Sequence, residues 1–406
     1  LGSGKSDDRQ VISPEKIKAL ATGYFTEVLE IRRHLHAHPE LSFEENETAK
    51  YVAAVLDRHG IPYQSGVAGT GIVAHIAGKN PGKRTIALRG DMDALPIQEQ
   101  NQCSYVSQHA GVMHACGHDV HTACVLGAAM ILNALKSEWE GTVRLIFQPG
   151  EEKLPGGASL MIQEGVLENP RPDWIIGQHV FPELEVGKVG FRKGMYMAST
   201  DELFVTIKGK GGHAALPKQY NSPLLIASQL LLRLQASFMD ASTREVPQGI
   251  PTVLAFGNIE GKGATNVIPE VVKLEGTFRT MDESWRKEAH ARMKNIAAEI
   301  AKATQSEIHF DIHHGYPFLV NDENVTGTAI QAATHYLGKE NVVELDVRMT
   351  AEDFAWYSQV IPACFYRLGT RNESKGITSA VHTPTFDVDE QSLETGMGLM
   401  AYLALQ

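Results

Sequence analysis

The sequence predicts an α/β fold, a mainly parallel sheet flanked by helices and interrupted by an inserted ferredoxin-like βαββαβ unit. Three observations carry that expectation. Short apolar runs alternate with amphipathic stretches through the first half of the chain, as strands joined by crossover helices do. From about Ser199 the order changes to strand, helix, strand, strand, helix, strand. The 406 residues also exceed what one hydrophobic core ordinarily serves, so two domains are expected.

Ser13-Pro14-Glu15 reads as an N-cap followed by proline at the first helical position, and apolar residues recur at helical spacing through Leu29 and Ile31. A first helix is therefore expected to about His36, with Pro39 stopping it. Residues 48–59 place Val52, Ala53, Val55 and Leu56 on one face of a second helix. Buried strands are expected at 72–76, 85–88, 143–147 and 174–176, with a helix over 120–135 between the second and third. The inserted unit reads as strand 203–208, helix 224–238, strands 252–259 and 271–278, helix 283–304 and strand 308–312, bracketed by glycine-bearing stretches around Gly194 and Gly315. A helix over 325–336, a strand over 363–368 and a closing helix over 389–403 complete the first domain.

Composition narrows the function classes. With 37 basic against 48 acidic residues the formal charge is −11, which leaves no basic footprint for nucleic acid or an anionic membrane surface. No stretch approaches 18 consecutive apolar residues, and residues 1–10 are polar and glycine-containing rather than a signal-peptide core, so the cytoplasm is the expected location. Four scattered cysteines, Cys103, Cys116, Cys124 and Cys364, do not make a disulfide framework, and reduced thiols are expected.

In a parallel sheet, ligands gather at the carboxyl ends of the strands. Asp91 and Asp93 follow the strand 85–88, Glu151 and Glu152 follow 143–147, and His179 follows 174–176, so three strands deliver polar groups to one edge. The densest cluster is His114-Ala115-Cys116-Gly117-His118-Asp119-Val120-His121, just before a helix. A thiolate and imidazoles at this spacing suit a borderline-soft divalent ion such as zinc or manganese, and the helix start favours the thiolate. A solvated, histidine-rich helix cap is the competing reading.

Two adjacent carboxylates, Glu151 and Glu152, repel; keeping both at a sheet end makes sense if a cation holds one and leaves the other free as a base. An ordinary charged turn is the alternative. Asp91 and Asp93 stand at i and i+2, so in extended chain both point the same way, and one could orient a metal-bound histidine; the alternative is a solvated loop. Of the 17 histidines, His34, His36 and His38 fall on a helix or its end, and His309, His313 and His314 on a strand and its exit. His179 and His382, the latter in Val381-His382-Thr383-Pro384, stand apart.

With these residues assembled, the sequence resembles the aminoacylase, hippurate hydrolase and auxin-conjugate (IAA-amino acid) hydrolase group of di-metal amidohydrolases and peptidases, over nearly the whole chain. The motifs that carry the resemblance are Arg33-His34-Leu35-His36-Ala37-His38-Pro39-Glu40-Leu41, Asp91-Met92-Asp93-Ala94-Leu95-Pro96, His114-Ala115-Cys116-Gly117-His118-Asp119, Gln148-Pro149-Gly150-Glu151-Glu152, Gly211-Gly212-His213-Ala214-Ala215, Asn266-Val267-Ile268-Pro269 and Glu352-Asp353-Phe354. Gly150 departs from the alanine that many relatives have.

The resemblance implies a di-metal peptidase-type catalytic domain in two parts, residues 1–196 and 315–406, around an inserted lid and dimerisation domain, 197–314. It implies Cys116, His118, Glu152, His179 and His382 as ligands of two divalent ions per subunit, zinc or manganese first and nickel or cobalt possible, with Cys116 bridging. Glu151 would be the general base, with Asp93 as a second catalytic group, and His213, Asn266 and Arg279 would bind substrate. The implied reaction is hydrolysis of N-acyl amino acids, and the implied partner is a second copy of the chain, in a homodimer or higher homo-oligomer formed through the inserted domain. Three alternatives stay open: a dipeptidase or aminopeptidase with the same metals, a non-catalytic binding protein on the same fold, and a thiol hydrolase using Cys116 with His118 or His121.

Overall fold

The Ser13 side chain accepts the Lys16 N–H at 3.3 Å and Pro14 opens the helix, so α1 (Pro14–Ala37) starts where its cap requires. The structure, a computed structural model, describes residues 12–406; the polar stretch 1–10 lies outside them. After α1 come α2 (Asn46–Arg58), β1 (Tyr63–Val67), β2 (Gly71–Ala77) and β3 (Thr85–Asp91), then α3 (His118–Ala134), β4 (Thr142–Gln148), α4 (Gly157–Gln163), β5 (Trp174–Glu185) and β6 (Val189–Phe191). Every residue of β3 is buried, as are nearly all of β4 and α3, which is why these segments read as continuous apolar runs rather than alternating ones.

The chain then builds a unit that packs on its own, Met195–Leu319 with Val347–Ala355. Its elements are β7 (Asp201–Lys208), β8 (Gly212–His213), α5 (Pro223–Phe238), β9 (Thr252–Glu260), β10 (Val267–Ile268), β11 (Val271–Thr280), α6 (Glu283–Thr304) and β12 (Glu307–His314). The four long strands form an antiparallel sheet in the order β9-β11-β7-β12. The two helices pack with it around Leu203, Val205, Leu230, Phe278 and Trp285. Asp282 caps α6 by accepting the Trp285 N–H at 2.7 Å. With the ribbon of β8 and β10 set aside, the order is βαββαβ.

Returning to the first unit, α7 (Glu323–Leu337), β13 (Val342–Glu344), β14 (Ala363–Arg371) and α8 (Ser392–Ala404) complete it. Its sheet has eight strands among the described residues, in the order β1-β2-β4-β3-β5-β14-β6-β13. The centre is parallel, through β4, β3, β5 and β14. The departures from parallel lie outside it: β1 and β2 are antiparallel to their neighbours, and β6 to β14. Only residues 68–70 join β1 to β2, with Gly69 at φ +90°, and so tight a connection permits only an antiparallel pair. No helix among the described residues is long and apolar enough to cross a membrane. All four cysteines are free.

Helix α1 carries a charged cluster into the interior. The fully buried Arg32 donates to Asp119, Asp387 and Glu390, and His36, also fully buried, sits between Asp119 Oδ2 and Glu99 Oε2, each at 2.8 Å. Burial opposes the His36 charge, but the two carboxylates outweigh it and push the imidazole up to about 9. A histidine raised in this way stabilises the fold fully below its unfolded value of about 6.5, and that contribution is lost as pH rises through 9. Chemical denaturation between pH 6 and pH 10 should show a loss on the order of 3 kcal/mol from this group, and His36→Gln should be less stable at pH 6 yet lack that decline. Parallel curves for the two proteins would remove His36 as the cause.

Candidate metal centre

The polar groups converge on the carboxyl edge of the parallel strands. Cys116 and His118 flank Gly117, which lies at φ +77° immediately before α3; a Cβ there would fall 2.5 Å from Val180 Cγ2. That close approach sets the start of α3 against β5. His179 does not follow its strand as the sequence suggested. It lies inside β5, opposite Arg367 of β14, because the buried run continues past Ile176 and β14 pairs along it. The His382 N–H donates to the Ala115 carbonyl at 2.7 Å, tying its loop to the cysteine segment.

Hydrogen bonds assign the ring nitrogens. His179 Nδ1 lies 2.7 Å from the Val180 carbonyl, which can only accept, so Nδ1 carries the proton and Nε2 keeps a lone pair, 3.6 Å from Cys116 Sγ. His118 Nδ1 contacts Asp93 Oδ1 at 3.1 Å, and its buried Nε2 has no hydrogen-bond partner. His382 Nε2 lies 3.2 Å from Glu152 Oε1. Donor atoms of Cys116, His118 and His179 lie within 4.8 Å of one another, and so do those of Cys116, Glu152 and His382. Cys116 belongs to both triads. His121 is set apart: its Nε2 accepts the Val180 N–H at 2.9 Å and its Nδ1 binds Asp91 at 2.6 Å, so neither nitrogen is open to a ligand or to Cys116.

Charge completes the picture. Burial pushes the Cys116 thiol well above its ordinary range, and Glu152, Glu151 and Asp91 push it further, opposing the preference of a helix start for the thiolate. Burial also disfavours charge on His118, yet Asp91, Asp93 and Glu152 overcome it and hold the imidazole high. Burial, His121 and Arg367 hold His179 well below its usual range, which leaves it neutral. A thiol among carboxylates, a neutral imidazole and the buried His118 Nε2, 3.3 Å from Asp91 Oδ2, together fit a divalent cation. The mixed sulfur, nitrogen and oxygen donors suit zinc or manganese.

Glu151, nearly buried, has its Oε2 3.8 Å from His118 Nε2. Asp93 accepts from Ser42 Oγ at 2.6 Å and from the Glu151 and Glu152 N–H groups at 3.1 and 2.9 Å, besides touching His118. Those contacts make it a holder of other groups. Of the remaining sequence-derived residues, His213 in β8 pairs with Val267, and the Ala214 N–H donates to the Asn266 carbonyl. His213 Nδ1 accepts the Ala215 N–H at 3.1 Å, so Nε2 bears its proton. Arg279 lies on another strand, β11, with Nη1 donating to the Met349 carbonyl at 3.1 Å. Sequence reasoning passed over Ser42 and Glu45, whose partners are distant in the chain and whose surroundings carry no spacing signal.

The family described as Peptidase family M20/M25/M40 matches residues 87–406. The chain is 40% identical over 367 residues to an N-acetyl-L-cysteine deacetylase of Bacillus subtilis, covering 90% of this chain and 85% of that protein. It is 41% identical over 310 residues to an N-acyl-L-amino acid amidohydrolase of Geobacillus stearothermophilus, covering 76% and 82%. Among solved structures, the Bacillus subtilis YXEP protein, described as a dinuclear metal binding peptidase from the M20 family, superposes with a TM-score of 0.79 at 34% identity, over 95% of this chain and 98% of that one.

Proposed function

The chain belongs to peptidase family M20/M25/M40, and from that premise we propose that it is a metal-dependent amidohydrolase that cleaves N-acyl amino acids into a carboxylic acid and a free amino acid. The observation that carries this reading is the pair of donor triads sharing Cys116, with Glu151 beside them.

Cys116, His118 and His179 would hold one divalent ion, and Cys116, Glu152 and His382 the other. Zinc or manganese there would supply Lewis acidity to the scissile carbonyl and lower the pKa of a water. Glu151 takes the proton of the attacking water and returns it to the leaving nitrogen. Asp93 keeps His118 in the tautomer that leaves Nε2 open and fixes the backbone of both glutamates. The His213 Nε2–H suits a substrate carbonyl oxygen, and Arg279 with Asn266 suits the amino-acid carboxylate, since a guanidinium makes charge-assisted hydrogen bonds to it.

Self-association through the inserted segment belongs to the same proposal. It is supported by Leu225 and Leu232 of α5, 66% and 71% exposed, beside the edge strand β9.

The experiment is a panel of N-acetyl, N-benzoyl and indole-3-acetyl amino acids against dipeptides, before and after chelation. We expect N-acyl amino acids to be turned over fastest, activity to vanish with chelator, and zinc or manganese to restore it. Faster dipeptide cleavage would move the assignment to a dipeptidase, and chelator-resistant turnover would favour the thiol mechanism.

A further inference from the structure

The turn that bears Glu151 and Glu152 presents three successive backbone N–H groups, and all three end on buried carboxyl groups. Gly150 donates to Glu45 Oε2 at 2.9 Å, while Glu151 and Glu152 donate to the two oxygens of Asp93. The short segment 42–45 governs both acceptors. Ser42 holds Asp93, and Glu45 takes the Gly150 N–H. Between them Phe43, at φ +66°, lies over Gly150, at φ +60°; a Cβ on Gly150 would fall 2.3 Å from Phe43 Cζ. A bulky residue in the left-handed region is strained, and such strain persists where the surroundings over-determine it, often at functional sites.

Glu45 is wholly buried, and its second oxygen, Oε1, has no hydrogen-bond partner. An acid so placed is costly, and an apolar residue of similar size would fill the space more cheaply. Its retained contact is the Gly150 N–H. We propose that Glu45 is a positioning residue whose carboxyl oxygen sets the Gly150 turn and thereby aims the carboxylate of Glu151 and the ligand oxygen of Glu152. Burial first, then the charge of Asp93, raises the Glu45 carboxyl to about 8, so the neutral acid prevails at pH 7 and glutamine is a close mimic of it.

This inference rests on the metal-centre reading above, and its test separates the two. Metal-free protein is titrated with manganese(II) alone by calorimetry, and kcat and KM are measured on the best N-acyl amino acid of the panel. Glu45→Asp keeps the carboxyl group but draws the acceptor back by one methylene; it should weaken manganese binding about tenfold and lower kcat about tenfold with KM little changed. Glu45→Gln keeps the acceptor in place and should stay within about threefold of wild type in both. Wild-type manganese affinity in Glu45→Asp, or an equal loss in Glu45→Gln, would overturn the proposal. If Glu45→Asp does not fold, Phe43→Leu, which frees the same turn, should weaken manganese binding, and unchanged affinity there would count against it. A wild-type protein that binds two manganese ions but cleaves no N-acyl amino acid would refute the substrate assignment, and the titrations would still decide the role of Glu45.

Discussion

Glu151→Gln is expected to keep both metal ions and lose turnover by a factor on the order of 10³, about 4 kcal/mol of transition-state stabilisation. The substitution preserves the size of the side chain and removes its capacity to take a proton. Glu151 is not part of either Cys116 triad, and its backbone is fixed by Asp93 whatever its side chain does. Metal content by elemental analysis should therefore match wild type while kcat collapses and KM stays close. Turnover near the wild-type rate would remove Glu151 as the base. A parallel loss of metal would make it a ligand instead.

Cys116→Ala should have the second largest effect and a different signature. Because Cys116 Sγ stands in both triads, its removal would take one donor from each proposed ion site at once, whereas loss of His179 or His382 would take a donor from only one. Metal content after dialysis should fall well below that of wild type, with activity lost in proportion and poorly restored by added zinc or manganese. Cys364→Ala, which empties a buried site on β14, is the control and should retain its metal. Unchanged metal content in Cys116→Ala would refute the ligand role; full metal with no turnover would revive the thiol mechanism.

The elements most legible in the sequence were those with a clean period and a cap. Helix α6 runs Glu283–Thr304, the span its apolar spacing predicts, and α1 ends one residue beyond expectation. Strand β1 escaped notice because four of its five residues are exposed or half-exposed, so no apolar run marks it. The carboxylates at the strand ends and the cysteine–histidine cluster were visible as local features. His179 was already marked by its place beyond an apolar run, whereas dividing Glu151 from Glu152 and choosing His382 among 17 histidines came only from the resemblance.

What no local pattern could reveal is pairing across long stretches of chain. His36 meets Asp119 across 83 residues and Glu99 across 63, and Glu45 meets Gly150 across 105. Tautomers were equally hidden: that His121 is spent on Asp91 and Val180 while His179 keeps an open nitrogen follows from contacts made only in the fold.

The central claim is that one thiolate serves two ions. Anomalous diffraction at the metal absorption edge, from crystals of zinc- or manganese-loaded protein, tests it most directly. The expected result is two peaks per chain, one bound by Cys116, His118 and His179 and the other by Cys116, Glu152 and His382. A single peak, or two peaks of which only one touches Cys116, would contradict it.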